Sequence, residues 1–276
     1  MRIVWASTLG LALAATASPA ALGAKGKASD GAWSAKQVTA KGTMSIPAAD
    51  LVYGGHQLQV TTDALRIVID FRDAGMTYID DTNESWARVT LDELAELRKK
   101  QLAALEQRVE GLPPKMQESA RARLAEMKAS SKDEMTIEAT DETSKVAGRD
   151  CQFYRWSSGS SSGRACLTTD VPFDLEPFRA DSRKLASKLK AQGAGGAVAS
   201  LNMLRMGAHG FPVLVEETMT AGGRQTEVTT RLEELRSSKA APGAFSPPEK
   251  YRQVSFLELL QARAIRQRAK DQATKE

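Results

Sequence analysis

The sequence predicts an α+β protein in which a curved antiparallel sheet is covered on one face by inserted helices. The first observation is period-two alternation, which is clearest over residues 65–72, where apolar and polar side chains alternate. Such alternation is typical of a strand in a sheet that is buried on one side. The second observation is that two stretches with helical spacing, 91–130 and 175–206, interrupt the strands. Helices inserted in this way supply the cover that the apolar face of the sheet requires.

Short strands joined by tight turns predict an antiparallel meander before the first helical stretch. Gly54-Gly55 and the run Asp80-Asp81-Thr82-Asn83 place turn-forming residues between apolar segments. A closing hairpin is predicted around Ala221-Gly222-Gly223. The segments with strand character are 38–46, 58–60, 65–71, 76–79, 86–89, 135–139, 149–156, 164–169, 211–219 and 224–235.

The first insertion begins with a helix start signal and contains a helix breaker. Thr90 and Glu93 have the spacing of a capping box, a hydroxyl followed three residues later by a carboxylate. Apolar residues recur at helical spacing up to Gly111 and Pro113, which end the first helix, and a second amphipathic segment follows. The sequence therefore predicts a helical hairpin over residues 91–130.

The remaining chain divides into a second insertion and a tail. Asp174 is a suitable N-cap for a helix that opens the second insertion at 175–206. Residues 255–276 form a charged C-terminal tail that is predicted to be helical. Residues 32–254 are predicted to fold as a single domain, because this length is sufficient for one sizeable core.

The N-terminus has the pattern of a secretory signal peptide, predicted over residues 1–23. Arg2 precedes an apolar core at 3–17, and small residues allow cleavage after Ala17 or after Gly23. An uncleaved membrane anchor is the alternative. A helix needs about 20 apolar residues to span a bilayer, and this core is shorter. The region has no lipobox cysteine, so we expect a periplasmic or secreted protein with no transmembrane segment in the mature chain. Residues 24–31 are a predicted flexible leader.

Composition argues against nucleic-acid binding and leaves the oligomeric state open. The chain has 38 basic and 34 acidic residues, a formal net charge of +4, and both signs are mixed along it. So small a surplus is no electrostatic footprint for nucleic acid. The two cysteines, Cys151 and Cys166, are expected to form one disulfide in an oxidising compartment. A free pair or a redox pair is the alternative, and the spacing is much wider than the CxxC of redox proteins.

No constellation of residues predicts catalysis, a metal or a cofactor. Residues 159–163 match the G-x-S-x-G pattern of serine hydrolases, but a strand rather than a helix is predicted to follow, so a hairpin loop is the simpler interpretation. The only two histidines, His56 and His209, occur in glycine-flanked turns without evident ligands or a nucleophile. We therefore expect no enzyme, and a hydrolase remains a minor alternative that requires a histidine beside a serine.

Four segments of the chain resemble the periplasmic lipoprotein-carrier superfamily, of the LolA and LolB type, and more narrowly an uncharacterised exported family near it. They are 76–80 (MTYID) with 86–89 (WARV), 146–154 (VAGRDCQFY), 210–216 (GFPVLVE) and 245–251 (FSPPEKY). The similarity extends over about residues 32–254. It implies a LolA-like open half-barrel whose apolar concavity, which holds acyl chains in the carriers, is covered by helices. It implies no catalytic residues.

The leading functional hypothesis is a soluble periplasmic protein that holds an apolar ligand, such as a lipid, an acyl chain or an acylated protein, under a helical lid. An envelope scaffold or chaperone that binds another protein is the alternative. Methionines on the covering helices favour an adaptable apolar surface, although they also fill gaps in ordinary cores. The candidate lining residues are Leu65, Ile67, Ile69, Phe71, Leu102, Leu105, Met116, Leu124, Met127, Leu204 and Met206.

Overall fold

The structure is a computed structural model that describes residues 31–41, 44–132, 135–159, 161–191, 200–221 and 224–273. The predicted signal peptide and all of the leader except Gly31 lie outside the described residues. The described strands are β1 Trp33–Lys41, β2 Met44–Gly54, β3 Gln57–Thr62, β4 Leu65–Asp70, β5 Gly75–Asp80, β6 Ser85–Thr90, β7 Thr136–Val146, β8 Arg149–Ser158, β9 Ser161–Thr168, β10 Phe211–Ala221, β11 Arg224–Ser237 and β12 Arg252–Gln253. The helices are α1 Leu91–Glu110, α2 Pro114–Lys132, α3 Glu176–Ala191, α4 Ser200–Met206 and α5 Phe256–Ala273.

The strands form one large open sheet, so the fold is α+β with an antiparallel sheet that does not close. Its order is β12-β6-β5-β4-β3-β2-β1-β11-β10-β9-β8-β7. Neighbouring strands pair antiparallel, except that β12 runs parallel to β6. The helices α1 and α2 are inserted between β6 and β7, and α3 and α4 between β9 and β10. This arrangement follows from hairpin turns within each run of strands and helical spacing between the runs.

The alternation read from the sequence sets one face of the sheet toward the core. Leu58, Ile69, Met76 and Val89 are paired across four adjacent strands, and all of them are buried. Directly paired residues project from the same face of an antiparallel sheet, so these side chains form one continuous apolar row. Helices that cover this row therefore protect the apolar face from water.

An aromatic cluster joins α3 to strands β1, β2 and β10 of the sheet. The ring of Trp33 stacks on those of Tyr53 and Phe173, each with 5.6 Å between centroids. Phe178 of α3 meets the edge of Trp33 at 5.3 Å, and Phe211 of β10 does so at 4.9 Å. Stacked and edge-to-face geometries of this kind stabilise aromatic pairs beyond the area they bury. The second insertion is thus packed into the core.

The helical hairpin of the first insertion begins at a complete capping box. The Thr90 hydroxyl accepts a 3.2 Å hydrogen bond from the Glu93 amide, and the Glu93 carboxylate accepts one of 2.8 Å from the Thr90 amide. Leu91 is buried against the sheet, whereas α2 packs mainly against α1. Among the described helices, none is both long enough and apolar enough to pass through a membrane.

The disulfide expected from the sequence is confirmed. Cys151 of β8 and Cys166 of β9 are bonded, with their Cα atoms 5.4 Å apart. Cys166 pairs with Phe153 in the β8–β9 ladder, and all three side chains are buried in the main core. The bond therefore links two adjacent strands within the core, in agreement with a protein that folds in an oxidising compartment.

Candidate functional site

An apolar groove lies between α1 and α5, above the face of β5. Its volume is about 450 Å³, which falls within the range of small-molecule sites. Arg98 and Gln101 are the polar residues at its border, and Arg98 is itself engaged in an interaction. The apolar and aromatic lining residues are Tyr78, Leu94, Leu97, Leu102, Leu105, Phe256, Leu257 and Leu260.

The local fold explains why these side chains meet. Leu94, Leu97, Leu102 and Leu105 recur at helical spacing, so they form a stripe along one side of α1. Tyr78 belongs to the middle of β5, and burial raises the pKa of its hydroxyl. Its ring lies 4.8 Å from that of Phe256. The groove therefore has a floor on the sheet and a wall from each helix.

Two adjacent carboxylates hold the C-terminal segment in place. Asp80 is fully buried, and its carboxylate lies 3.7 Å from the Arg263 guanidinium and 3.4 Å from that of Arg266, both on α5. Its neighbour Asp81 accepts a 3.0 Å hydrogen bond from the Tyr251 hydroxyl. Asp81 also pairs with Arg66 at 2.7 Å, which lowers the pKa of the Asp81 carboxyl. The wall formed by α5 is thus anchored by charge as well as by apolar contact.

A smaller, charged pocket adjoins the groove. Its volume is about 380 Å³, and it shares Leu97, Phe256 and Leu257 with the groove. Its charged lining residues are Arg88, Glu93, Glu96 and Lys100. Because the two spaces share these three residues, they are neighbours, with the apolar groove on one side of the shared residues and the charged pocket on the other.

A second polar cluster fastens α3 to the turn between β2 and β3. Asp181 of α3 accepts a 2.7 Å hydrogen bond from the Tyr53 hydroxyl and lies 3.0 Å from Nδ1 of His56. His56 has a left-handed backbone, with φ of 64°, directly after Gly55 with φ of 58°, as a two-residue hairpin turn requires. Burial, followed by the bond to Asp181, raises the pKa of the Tyr53 hydroxyl well above its usual value of 10.0. Tyr53 is therefore a donor at any physiological pH.

A third space is polar and lies over β8 to β11. It has a volume of about 600 Å³, and Arg164 bonds to Glu216 across it. The Arg164 guanidinium also lies 4.7 Å from the centre of the Phe153 ring. Arg164 and Glu216 neutralise each other, and Trp156 and Val228 are the large apolar residues of a lining that is otherwise mostly polar or charged.

The predicted lining residues are distributed over several environments. Leu102 and Leu105 line the groove, whereas Ile69, Phe71 and Leu204 are buried in the main core, with Ile67 packed against it. Met206 belongs to a separate buried cluster. Leu65 and Leu124 are half-buried, and Met116 is 55% exposed. The side chain of Met127 lies outside the described part of the structure.

Sequence reasoning missed six of the groove residues, namely Tyr78, Leu94, Leu97, Phe256, Leu257 and Leu260. The run Phe256-Leu257-Glu258-Leu259-Leu260 carries a signal for them, because it is strongly apolar at the start of the charged tail. The cluster of Tyr53, His56 and Asp181 was missed as well, because its members are far apart in sequence.

The two histidines lie in turns, and the serine motif lies at the hairpin between β8 and β9. His56 bonds to Asp181, and the ring of His209 lies 5.8 Å from that of Tyr154. In the described segments neither histidine forms a hydrogen bond to a serine. Ser161, the middle residue of the G-x-S-x-G match, is the first residue of strand β9. The described residues also contain no group of three or more His, Cys, Asp or Glu that could hold a metal ion.

Comparisons with known proteins show distant structural likeness and one family. No curated protein sequence matches the chain. Two crystal forms of PNGF-II are 8% and 9% identical, with TM-scores of 0.39 and 0.41; the aligned region covers 82% and 83% of this chain but only 31% and 32% of theirs. A crystal structure of MucB is 10% identical, with a TM-score of 0.33, 80% of this chain covered and 59% of that one.

The family match begins at residue 114, in α2, and ends at residue 251, just before β12. It therefore contains β7 to β11, the disulfide and the second insertion, whereas the groove-forming helices α1 and α5 lie outside it. The matched segment is half of the chain. The chain belongs to the family described as a domain of unknown function, DUF4412.

Proposed function

We propose that this protein is a periplasmic or secreted, non-enzymatic binding protein that holds an apolar ligand, such as a lipid or acyl chain, in the groove between α1 and α5. The observation that carries the proposal is the apolar groove of about 450 Å³. Burial of apolar surface is non-directional, so such a groove favours a flexible hydrocarbon over a ligand that needs many hydrogen bonds. Each methylene removed from water contributes ~0.8 kcal/mol.

The architecture supports a carrier-like role. The open antiparallel sheet with helices over one face is compatible with the LolA-like half-barrel that the sequence resembles. In this protein the acyl chain would lie beneath α5 rather than under α3, because Phe178, Leu185 and Leu189 of α3 are packed into the core. The disulfide supports an exported location, where lipids and acylated proteins are available as ligands.

A binding titration with a fluorescent fatty acid tests the proposal. Leu102→Trp adds bulk to the groove, and Ile265→Trp makes the same kind of change at a site on α5 that is 68% exposed and does not line the groove. Excluding two methylene groups at ~0.8 kcal/mol each corresponds to about a tenfold loss of affinity. We expect this loss for Leu102→Trp and unchanged binding for Ile265→Trp. Absence of saturable binding by the wild-type protein would overturn the proposal.

The same surface supports a second candidate function, the binding of another protein by an envelope scaffold or chaperone. Leu257 and Leu260 are 44% and 42% exposed at the edge of the groove, and exposed apolar residues that form a patch mark interaction sites. An amphipathic helix of a partner could occupy such a groove. This candidate predicts that unfolded or helical polypeptides compete with the fatty acid, whereas the lipid-binding proposal predicts that they do not.

A further inference from the structure

The apolar groove borders a charged pocket. Leu97, Phe256 and Leu257 line both spaces. A ligand whose hydrocarbon occupies the groove would therefore bring its polar group to the border with the charged pocket. The charges in the pocket then decide which polar group fits.

Two of the four charged residues in the pocket already have partners. The Arg88 guanidinium is held by the Asp73 carboxylate at 2.5 Å. The Glu93 carboxylate accepts a hydrogen bond from the backbone amide of Thr90 in the capping box of α1. The charge of Arg88 is therefore neutralised within the protein, and the carboxylate of Glu93 is held in the capping box.

Glu96 and Lys100 are the two charges that remain for a ligand. Neither side chain forms an ion pair with another described residue, and both are exposed. They are four residues apart on α1, so their side chains emerge from the same side of the helix, with Cβ atoms about 5–6 Å apart. The pocket thus presents one negative and one positive group next to each other.

We propose that the ligand is a single-chain zwitterionic lipid of the lysophospholipid class, with its phosphate near Lys100 and its ammonium group near Glu96. This inference rests on the proposed lipid-binding function and adds the class of head group. A fatty acid or an anionic lysolipid would satisfy Lys100 but would bring a like charge toward Glu96. A groove of about 450 Å³ is near the lower end of ligand sites, which favours one chain over two.

Competition against the fluorescent fatty acid tests the head-group assignment with the full mature chain. The competitors are lysophosphatidylethanolamine and lysophosphatidylglycerol with the same acyl chain, which differ in head-group charge. The variants are Glu96→Gln, Lys100→Gln and the double exchange Glu96→Lys with Lys100→Glu. The double exchange retains both charges and the net charge, and it serves as the matched control for the single changes.

The wild-type protein is expected to prefer the zwitterionic lipid about two- to fivefold, the range that one exposed ion pair supplies. Glu96→Gln should abolish the preference by improving the binding of the anionic lipid, and Lys100→Gln should weaken both lipids. The double exchange should not restore the preference, because it places a carboxylate at the position assigned to the phosphate and an ammonium group at the position assigned to the lipid ammonium. Equal binding of the two lipids by all variants would overturn the head-group assignment while the groove proposal stands. Absence of any lipid binding would overturn both.

Discussion

The hydroxyl of Tyr53 donates a 2.7 Å hydrogen bond to the carboxylate of Asp181, which connects the sheet directly to the helix that packs on it. Tyr53 is 1% exposed and Asp181 is 7% exposed. Water therefore has little access to the carboxylate if the tyrosine is removed. Among the described residues, His56 also contacts the Asp181 carboxylate, and the His56 side chain is more than half exposed. The buried hydroxyl of Tyr53 thus adds a polar attachment to the apolar packing of α3.

Tyr53→Phe is expected to lower the free energy of unfolding by about 1–3 kcal/mol, because a buried carboxylate loses a hydrogen bond that no water can replace. Urea denaturation followed by circular dichroism measures the change. Tyr78→Phe is the matched control, since among the described residues the Tyr78 hydroxyl donates a hydrogen bond only to the sulfur of Met76, at 3.8 Å. Equal decreases in the free energy of unfolding for the two variants would contradict a stabilising role of the Tyr53–Asp181 hydrogen bond.

Replacement of Arg263 and Arg266 together by Ala is expected to loosen α5, because the change leaves the buried Asp80 carboxylate without its cationic partners. Removing the cationic partner of a buried carboxylate lowers the free energy of unfolding by on the order of 3 kcal/mol. Hydrogen exchange measures the effect as faster exchange of the amides of α5. Asp73→Asn, which breaks an exposed pair with Arg88, is the control and should have a small effect. Unchanged protection of α5 in the double variant would contradict this role.

His209 is expected to reduce stability as the solution becomes acidic. Burial, followed by the charge of Arg179, lowers the pKa of His209 below its ordinary value of 6.5. As the pH falls through 6.5, the unfolded chain binds the proton first, so stability decreases until the pH reaches the folded pKa. Denaturant midpoints at pH 7.5 and pH 5.5 should therefore differ less for His209→Gln than for the wild type. A larger difference in the variant would reverse the assigned sign.

Removal of the disulfide by Cys151→Ala with Cys166→Ala is expected to lower stability by about 3 kcal/mol, the chain-entropy value for a loop of this length. The sequence separation is 15 residues, and the sulfurs are buried in the main core, so alanine is a better replacement than serine. Thermal unfolding in oxidising and reducing buffer measures the effect. Reduction should shift the melting temperature of the wild-type protein and leave that of the double variant unchanged.

The fold class was accessible from sequence because it depends on local periodicity. Ile69 occurs in a segment whose alternation predicts which face is buried, and the structure pairs it with the buried Met76. The disulfide was predictable for a different reason, since a chain with two cysteines allows only one intramolecular bond. Neither conclusion requires knowledge of which segments, distant in sequence, contact each other in the fold.

The groove was only partly accessible because it is built from long-range contacts. Tyr78 meets Phe256, and Asp80 meets Arg266 across a separation of 186 residues. The charge of the C-terminal segment predicts a solvated helix rather than a wall of the groove. In the structure, however, Arg263 and Arg266 lie against the buried carboxylate of Asp80. Helical spacing places Leu102 and Leu105 on the apolar stripe of α1, but it does not indicate that α5 packs beside them.

Photo-crosslinking with a fatty acid that carries a diazirine on its chain, followed by mass mapping of the labelled peptides, tests the central proposal most directly. The proposed site predicts label on the segments 94–105 and 256–260, and loss of that label when unmodified fatty acid is added in excess. Leu102→Trp should reduce the labelling of both segments. Label concentrated on other strands or helices, or label that excess ligand does not displace, would contradict an acyl-binding site between α1 and α5.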